Sequence, residues 1–248
     1  MASDTDTRPW LPAPPNAWPP DDTEESVVGT DLHQTTIINL RWGINEAAHS
    51  HGAPGQDVPW QALDQTVVTG FERRDGSRYK TMPDVFVYRR PIDRSRGSVS
   101  VGLDGPPALI IEALSESTYD VDLDLEHGKG YSYAHAGVRE YLTLDPTGAY
   151  APEGIRAWRL TGGLYQPWMP DADGRWTSQE IGVAFALEGK LATVYADDSR
   201  RMLREGEVEQ ERARMRAELA RRDEELARRD EELAELRRRL DDARGRQR

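Results

Sequence analysis

The sequence has no cysteine, which excludes disulfides, zinc–thiolate sites and a thiol nucleophile. No apolar run approaches the roughly 20 residues that a membrane-spanning helix needs. The first residues, Met1-Ala2-Ser3-Asp4, have neither the basic region nor the apolar stretch of a signal peptide. We therefore expect a soluble, cytoplasmic protein with no membrane partner. Hydrophobic residues make up only 37% of the 248 residues and charged residues 31%, so part of the chain should lie outside any packed core.

Lysine is also scarce, since only three of the 32 basic residues are lysine: Lys80, Lys129 and Lys190. Lysine can change its protonation state and arginine cannot, so each lysine is a candidate for a special role, although chance would also leave a few. The net charge of −12 argues against a surface that coats nucleic acid non-specifically. It does not exclude a local site that holds cations.

The pattern divides the chain into three segments. Residues 1–22 are rich in proline with acids between them, which predicts a disordered arm. Residues 23–198 hold almost all the aromatic and β-branched runs and predict a folded domain. Residues 199–248 predict a long, charged helix in which leucines recur every seven residues, at positions 219, 226, 233 and 240.

Two interpretations of this C-terminal helix stay open. The leucine heptad favours a weak coiled coil, and hence a homo-oligomer, but Arg222 and Arg229 occupy its second seam position and weaken it. Alternatively, Glu-to-Arg pairs four residues apart stabilise a solitary, solvated helix.

Within residues 23–198 the predicted order is α-β-β-β-α-β followed by more strands, which indicates an α/β sandwich around a mixed sheet. The first helix should begin near Asp31, a good N-cap, and end before Gly52 and Pro54. The other predicted elements are strands at 58–69, 84–88, 108–114 and 141–144, a helix at about 125–136 capped by Gly137, and a hairpin around Gly162-Gly163. The run 108–114 is apolar on both faces, which is typical of a central strand.

Glu112 is the most informative residue because it interrupts that apolar run. An unpaired buried carboxylate is very costly, so it needs a cation or a hydrogen-bonding partner. If the strands at 84–88 and 108–113 are antiparallel neighbours, Asp84 and Glu112 meet at one end of the sheet. Two carboxylates there, with a backbone carbonyl and water, form an all-oxygen site suited to Mg²⁺ or Mn²⁺.

Lys129 follows Glu112 on the helix that crosses back over this strand end. Its ammonium could orient or deprotonate a water molecule and offset charge in a phosphoryl transition state. Gly128 and Gly130 would let the backbone come close to the sheet or to substrate. The alternative is that Glu112 and a lysine or arginine form a simple buried ion pair.

An ordered set of motifs carries a resemblance to a known family: Gly29-x-x-x-His33-Gln34, Pro83-Asp84, Glu112-Ala113-Leu114-Ser115-Glu116-Ser117-Thr118, Lys129-x-x-x-Tyr133-x-x-x-Gly137-Val138-Arg139-Glu140-Tyr141 and Asp145-Pro146. From about residue 24 to residue 191 the chain resembles the Uma-two family of restriction-endonuclease-like proteins, in the PD-(D/E)xK nuclease superfamily.

The resemblance implies an α/β, restriction-endonuclease-like αβββαβ core with a mixed sheet, here followed by the long C-terminal helix. It also implies divalent-metal-dependent hydrolysis of phosphodiester bonds. Asp84, Glu112 and Lys129 would be the catalytic residues, and Asp84, Glu112 and the Ala113 carbonyl would bind Mg²⁺ or Mn²⁺. The sequence departs from the usual patterns at Leu114, where the superfamily has its lysine, and at Leu125, where the family often has an aspartate.

Several residues are weaker candidates for the site. Glu25 could lend a carboxylate and Lys80 could touch phosphate. His33 could face the metal cleft, although a histidine at a helix start is more typical of packing or surface positions, and His127 is expected to be exposed. Three tyrosines are expected to pack, with hydroxyls at the rim: Tyr131, Tyr133 and Tyr141. Four tryptophans are expected in the core or an interface: Trp42, Trp60, Trp158 and Trp176.

The expected partner is nucleic acid, with DNA favoured. The acidic chain then needs a local positive surface, and we expect one face to be lined by the arginines near Asp84: Arg73, Arg74, Arg78, Arg89, Arg90, Arg94 and Arg96. The competing hypothesis is a catalytically silent nuclease-fold scaffold that assembles or recruits partners through the C-terminal coiled coil.

Overall fold

The computed structural model describes residues 31–51, 58–93 and 95–245. The predicted proline-rich arm, Glu25 and Arg94 lie outside the described residues. The chain divides into two units, which meet in sequence between Met202 and Leu203 and are described separately. In the described part of the chain, no helix is both long enough and apolar enough to cross a membrane.

The described residues form five helices: α1 (Asp31–His51), α2 (Val101–Asp104), α3 (Tyr119–Leu123), α4 (Lys129–Ala136) and α5 (Glu205–Gly245). Twelve strands accompany them: β1 (Gln61–Leu63), β2 (Val67–Glu72), β3 (Arg78–Thr81), β4 (Val85–Tyr88), β5 (Ser98–Ser100), β6 (Leu109–Ala113), β7 (Glu140–Leu144), β8 (Ile155–Thr161), β9 (Leu164–Pro167), β10 (Trp176–Thr177), β11 (Ala184–Glu188) and β12 (Leu191–Tyr195).

A six-stranded mixed sheet forms the centre of the first unit, in the order β1-β4-β6-β7-β8-β9. Strands β6 and β7 are parallel and joined through α3 and α4, whereas the other neighbours are antiparallel. In chain order α1, β1, β4, β6, α4 and β7 give the αβββαβ core, so the expected fold class is confirmed. Two three-stranded sheets add to it, β3-β2-β5 and β10-β11-β12.

The central strand β6 is buried at all five positions because both faces of the sheet are covered. Ile111 packs on one side into a core that includes Ile37 and Ile44 of α1. Ile110 points to the other side, into a core that includes Phe71 and Tyr133. This alternation places Glu112 on the same side as Ile110.

The structure corrects two of the predicted elements. The single strand expected at 58–69 is two strands in different sheets, β1 and β2, with Gln65 between them at a φ of 43°. The helix expected at 125–136 begins only at Lys129, because the Asp124 carboxylate accepts the backbone N–H groups of Glu126 and His127 and holds the chain there in a turn.

In the second unit α5 begins at Glu205 rather than at residue 199. Its heptad leucines Leu219, Leu226 and Leu233 are exposed. Pairs four residues apart also form, with Arg229 2.8 Å from Glu225 and Arg222 2.7 Å from Glu218. Exposed leucines suit the coiled coil and the ion pairs suit the solitary helix, so both interpretations stay predictions.

Candidate active site

The pairing of β4 with β6 brings Asp84 and Glu112 together. Val85 lies opposite Ile111 in the antiparallel register, so the residue before β4 adjoins Glu112. The Asp84 N–H donates to Glu112 Oε2 at 3.2 Å, and the Ala113 N–H donates to Asp84 Oδ2 at 2.7 Å. The antiparallel arrangement expected from the sequence is confirmed, and both carboxylates lie at one end of the sheet.

Glu112 is only 1% exposed, and its buried carboxylate has several partners. The Tyr133 hydroxyl donates to Oε1 at 2.6 Å, and Lys129 Nζ lies 3.4 Å from the same oxygen. Burial raises the pKa of Glu112 to about 8, although the positive charge of Lys129 opposes the rise. The acid is therefore ready to take or release a proton near neutral pH when no further cation is bound.

Lys129 joins a second buried carboxylate that the sequence reasoning missed. Its Nζ lies 3.0 Å from Asp122 Oδ1, and both residues are almost completely buried. Burial raises the pKa of the Asp122 carboxyl, as it does for Glu112. The available signal was the same for both acids, because Asp122 stands between two apolar residues, Val121 and Leu123. Asp124, the nearest match to the family's aspartate, holds the turn before α4 instead.

Glycines set the position of Lys129. A Cβ atom on Gly128 would lie 2.7 Å from the Asp124 carbonyl oxygen and closer still to that of Val121. A Cβ atom on Gly130 would meet the Leu125 side chain at 2.6 Å. The close approach expected at these glycines therefore exists, but it is made to α3 and the following turn rather than to the sheet or to substrate. It brings α4 near the segment that carries Asp122.

His33 belongs to the site and is not simply a surface or packing residue. It lies in the first turn of α1, with Nε2 3.0 Å from the Ala113 carbonyl oxygen and 3.6 Å from Asp84 Oδ2. A carbonyl oxygen can only accept, so Nε2 carries the hydrogen. The hydrogen bond with Asp84 raises the pKa of the His33 imidazole. The sequence signal was its place in the Gly29-x-x-x-His33 motif.

The tyrosine hydroxyls also lie deeper than expected. Tyr133 and Tyr141 are completely buried, and the Tyr141 hydroxyl donates to the Asp122 backbone carbonyl at 2.7 Å. Tyr133 and Tyr141 therefore place their hydroxyls inside the site and not at its rim, because the buried oxygens of Glu112 and Asp122 need donors. Only Tyr131 is partly exposed.

The remaining sequence candidates lie outside the cluster. Lys80 is exposed on β3, and His127 is exposed with Nε2 3.3 Å from Arg74. Trp60 and Trp158 are buried in the core, as expected, and Trp42 and Trp176 are half-buried.

The described arginines near Asp84 do not all lie at the same end of β4. Arg74 contacts the turn that precedes Lys129, through the Glu126 carbonyl. Arg89 and Arg90 follow the other end of β4, because that strand begins beside Asp84 and runs away from it.

The oxygen atoms of the site suit Mg²⁺ or Mn²⁺ as ligands. The Ala113 carbonyl oxygen and Asp84 Oδ2 converge on one hydrogen-bond donor, the His33 Nε2, and Glu112 Oε2 adjoins them through the Asp84 backbone. Carboxylate and carbonyl oxygens are the ligands that these hard cations prefer. Among the described residues, no three His, Asp or Glu side chains gather closely enough to hold a metal ion by themselves. A carbonyl and water would therefore have to complete the coordination.

Comparison with known families gives one match. A family model described as "Uma2: Putative restriction endonuclease" matches residues 26–192, which is more than half of the chain and includes every residue of the cluster. A search of curated proteins found no similar sequence.

Proposed function

Because the chain belongs to the Uma2 family of restriction-endonuclease-like proteins, we propose that it is a divalent-metal-dependent endonuclease that hydrolyses phosphodiester bonds, with DNA as its substrate, in the cytoplasm. One observation carries the proposal. Three separate elements bring Asp84, Glu112 and Lys129 together. The Asp84 N–H donates to the Glu112 carboxylate, and Lys129 Nζ lies 3.4 Å from the other oxygen of that carboxylate. A simple buried ion pair of Glu112 and Lys129 would not require the partly exposed Asp84 carboxylate and the Ala113 carbonyl oxygen at the same point.

Asp84, Glu112 and the Ala113 carbonyl would hold the Mg²⁺ or Mn²⁺ ion. A divalent cation supplies Lewis acidity, polarising a phosphoryl oxygen and lowering the pKa of water. The chain's own residues keep the donors in place. The Tyr133 hydroxyl fixes Oε1 of Glu112, which leaves Oε2 turned toward Asp84. The Ala113 N–H holds Asp84 Oδ2 in place, near the same His33 Nε2 that lies 3.0 Å from the Ala113 carbonyl oxygen.

Lys129 is the group that meets the phosphodiester. Its ammonium, held by Asp122 and Glu112, can donate to a phosphoryl oxygen and offset the charge that develops there. It can also orient the attacking water, whose oxygen forms the new bond to phosphorus as the bond to the leaving oxygen breaks. Asp122 does not touch the reacting atoms in this scheme. It is a positioning residue that holds the Lys129 Nζ in place.

The test is cleavage of supercoiled plasmid by the full chain in Mg²⁺ or Mn²⁺. We expect nicked and linear products that disappear with a chelator and in the Asp84→Ala and Lys129→Ala proteins. Arg139→Ala, which removes an exposed charge at the opposite end of β7, is the matched control and should cleave normally. Cleavage that survives Asp84→Ala would show that these residues are not the active site.

A second candidate function rests on α5. Leu219, Leu226 and Leu233 are 59%, 57% and 51% exposed, which leaves an apolar row for a partner helix. In this alternative the nuclease fold is a silent scaffold that assembles through α5. Sedimentation of the full chain and of a Leu226→Ser, Leu233→Ser variant would test it: assembly lost in the variant, together with no cleavage and no metal binding by the wild type, would favour the scaffold.

A further inference from the structure

A stack of cationic and aromatic side chains borders the proposed active site. The Arg74 guanidinium lies 5.9 Å from the Tyr131 ring centroid, and the Tyr131 ring stacks on His135 at 5.8 Å with the two planes 6° apart. Arg74 and His135 are exposed and Tyr131 is half-buried. We call these three residues, with His127, the stacking surface.

The stacking surface adjoins the catalytic lysine through the chain itself. Tyr131 stands two residues after Lys129 on α4, so Lys129 faces inward to Glu112 while Tyr131 faces outward. Arg74 comes from the β2–β3 hairpin and reaches the turn before α4, where Nη1 donates to the Glu126 carbonyl at 3.2 Å and lies 3.3 Å from His127 Nε2. Apart from Arg74, the stacking surface and the lysine therefore belong to the same short helix and the turn that precedes it.

Several charged groups nearby have partners. Glu72 lies 3.2 Å from Arg78 and 3.6 Å from His135, and Arg73 rests on the Tyr79 ring at 4.7 Å. No carboxylate pairs with Arg74 among the described residues, and its guanidinium lies beside Tyr131. The exposed Arg74 charge is therefore available to meet a phosphate.

We propose that the stacking surface binds an unpaired base and its phosphate, so that the substrate of this chain carries a single-stranded segment beside the bond that is cut. The proposal rests on the nuclease function proposed above. A nucleic-acid base can stack on an aromatic ring or a guanidinium group only when it is not already stacked inside a duplex. A cation beside that ring can then bind the phosphate backbone of the same strand. A smooth phosphate-binding surface for duplex alone would need cations without aromatics.

The test is equilibrium binding in a chelator, which separates binding from cleavage. Fluorescence anisotropy is measured with a labelled single-stranded oligonucleotide, as DNA and as RNA, and with the same sequence as a blunt duplex. We expect tighter binding to one or both single strands than to the duplex. Tyr131→Leu and Arg74→Ala should each weaken single-strand binding by roughly tenfold, and Tyr131→Phe should retain it. Circular dichroism checks that each variant is folded.

Two arginine variants serve as matched controls. Arg78→Ala removes a charge from the same hairpin, and Arg139→Ala removes one from the opposite end of the central sheet; both should bind within about twofold of wild type. Equal binding of duplex and single strand, wild-type affinity in Tyr131→Leu, or an equal loss in Arg139→Ala would overturn the proposal. Plasmid cleavage in Mn²⁺ is scored separately. Cleavage with no preference for single-stranded binding would reject the stacking surface alone. Preferential single-strand binding without cleavage would support the stacking surface as a binding site and reject the proposed nuclease activity.

Discussion

The two ends of the β4–β6 pair carry opposite arrangements of charge. At one end Glu112 and Lys129 are buried, and the partly exposed Asp84 adjoins them. At the other end arginines line an open cavity of about 490 Å³ and pair with acids at its surface, as Arg89 does with Glu180 at 3.3 Å. Pairs of the second kind are screened by water and contribute little. Buried pairs cost desolvation to form and are still more costly to break, so the net stability that the first end contributes is small although its disruption is expensive.

The largest difference between the ends should come from removing a cation. Lys129→Met leaves Glu112 and Asp122 buried without their positive partner, and we expect a loss of about 3–5 kcal/mol of unfolding free energy. Arg139→Met removes an exposed charge at the other end and should change it by less than about 0.5 kcal/mol. Urea denaturation at pH 8 in a chelator measures both. Similar losses in the two variants would contradict the comparison.

The pH dependence of the unfolding free energy should also reveal the buried carboxyl group of Glu112 at the carboxylate end. The folded protein keeps the Glu112 proton up to a pKa of about 8, whereas the unfolded chain releases it near 4.5. Between those values the folded state binds more protons, so the unfolding free energy falls as the pH rises. The raised pKa values of Asp122 and His33 act in the same direction. Glu112→Gln should flatten the decline measured in a chelator, and a slope equal to that of wild type would show that Glu112 is ionised in the fold.

Glycine substitutions should show that the chain is more closely packed at the carboxylate end than at the arginine end. Gly128→Ala pushes a methyl group against the backbone of α3, and we expect a loss of roughly 1–3 kcal/mol together with reduced cleavage, because Lys129 shifts. Gly102→Ala lies in α2, where a Cβ atom would meet only the Ser100 hydroxyl at 3.9 Å. That variant should be neutral or slightly stabilising in thermal melts. A stable, fully active Gly128→Ala protein would argue against the tight fit.

The smallest contrast concerns two tyrosine hydroxyls. Tyr133 donates to Glu112 at 2.6 Å, and Tyr88, at the arginine end, donates to the Gly105 carbonyl at 2.8 Å. Tyr133→Phe and Tyr88→Phe should each cost about 1 kcal/mol of stability. Only Tyr133→Phe should lower the cleavage rate, because only its hydroxyl fixes a metal-binding carboxylate. Equal rates in the two variants would remove Tyr133 from the site.

The central part of the site could be predicted from the sequence, and its surroundings could not. Glu112 could be identified because an acid inside an apolar strand must be paired. The position of Asp84 beside it could be predicted from the antiparallel pairing of their strands. His33 meets Ala113 across 80 residues, a contact that no local pattern encodes. Asp122 stands between apolar residues as Glu112 does, but its contact with Lys129 depends on the turn at 124–128, which the sequence pattern predicts as helix. The single strand expected at 58–69 failed for a similar reason, since the turn at Gln65 sends its two halves to different sheets.

Direct metal binding tests the central claim that the carboxylate end of the sheet is a cation site. Titration calorimetry of the full chain with Mn²⁺ should show one binding event, which Asp84→Asn abolishes while Asp104→Asn, at the arginine end, leaves it unchanged. No binding to the wild-type chain, or binding that survives Asp84→Asn, would contradict the account.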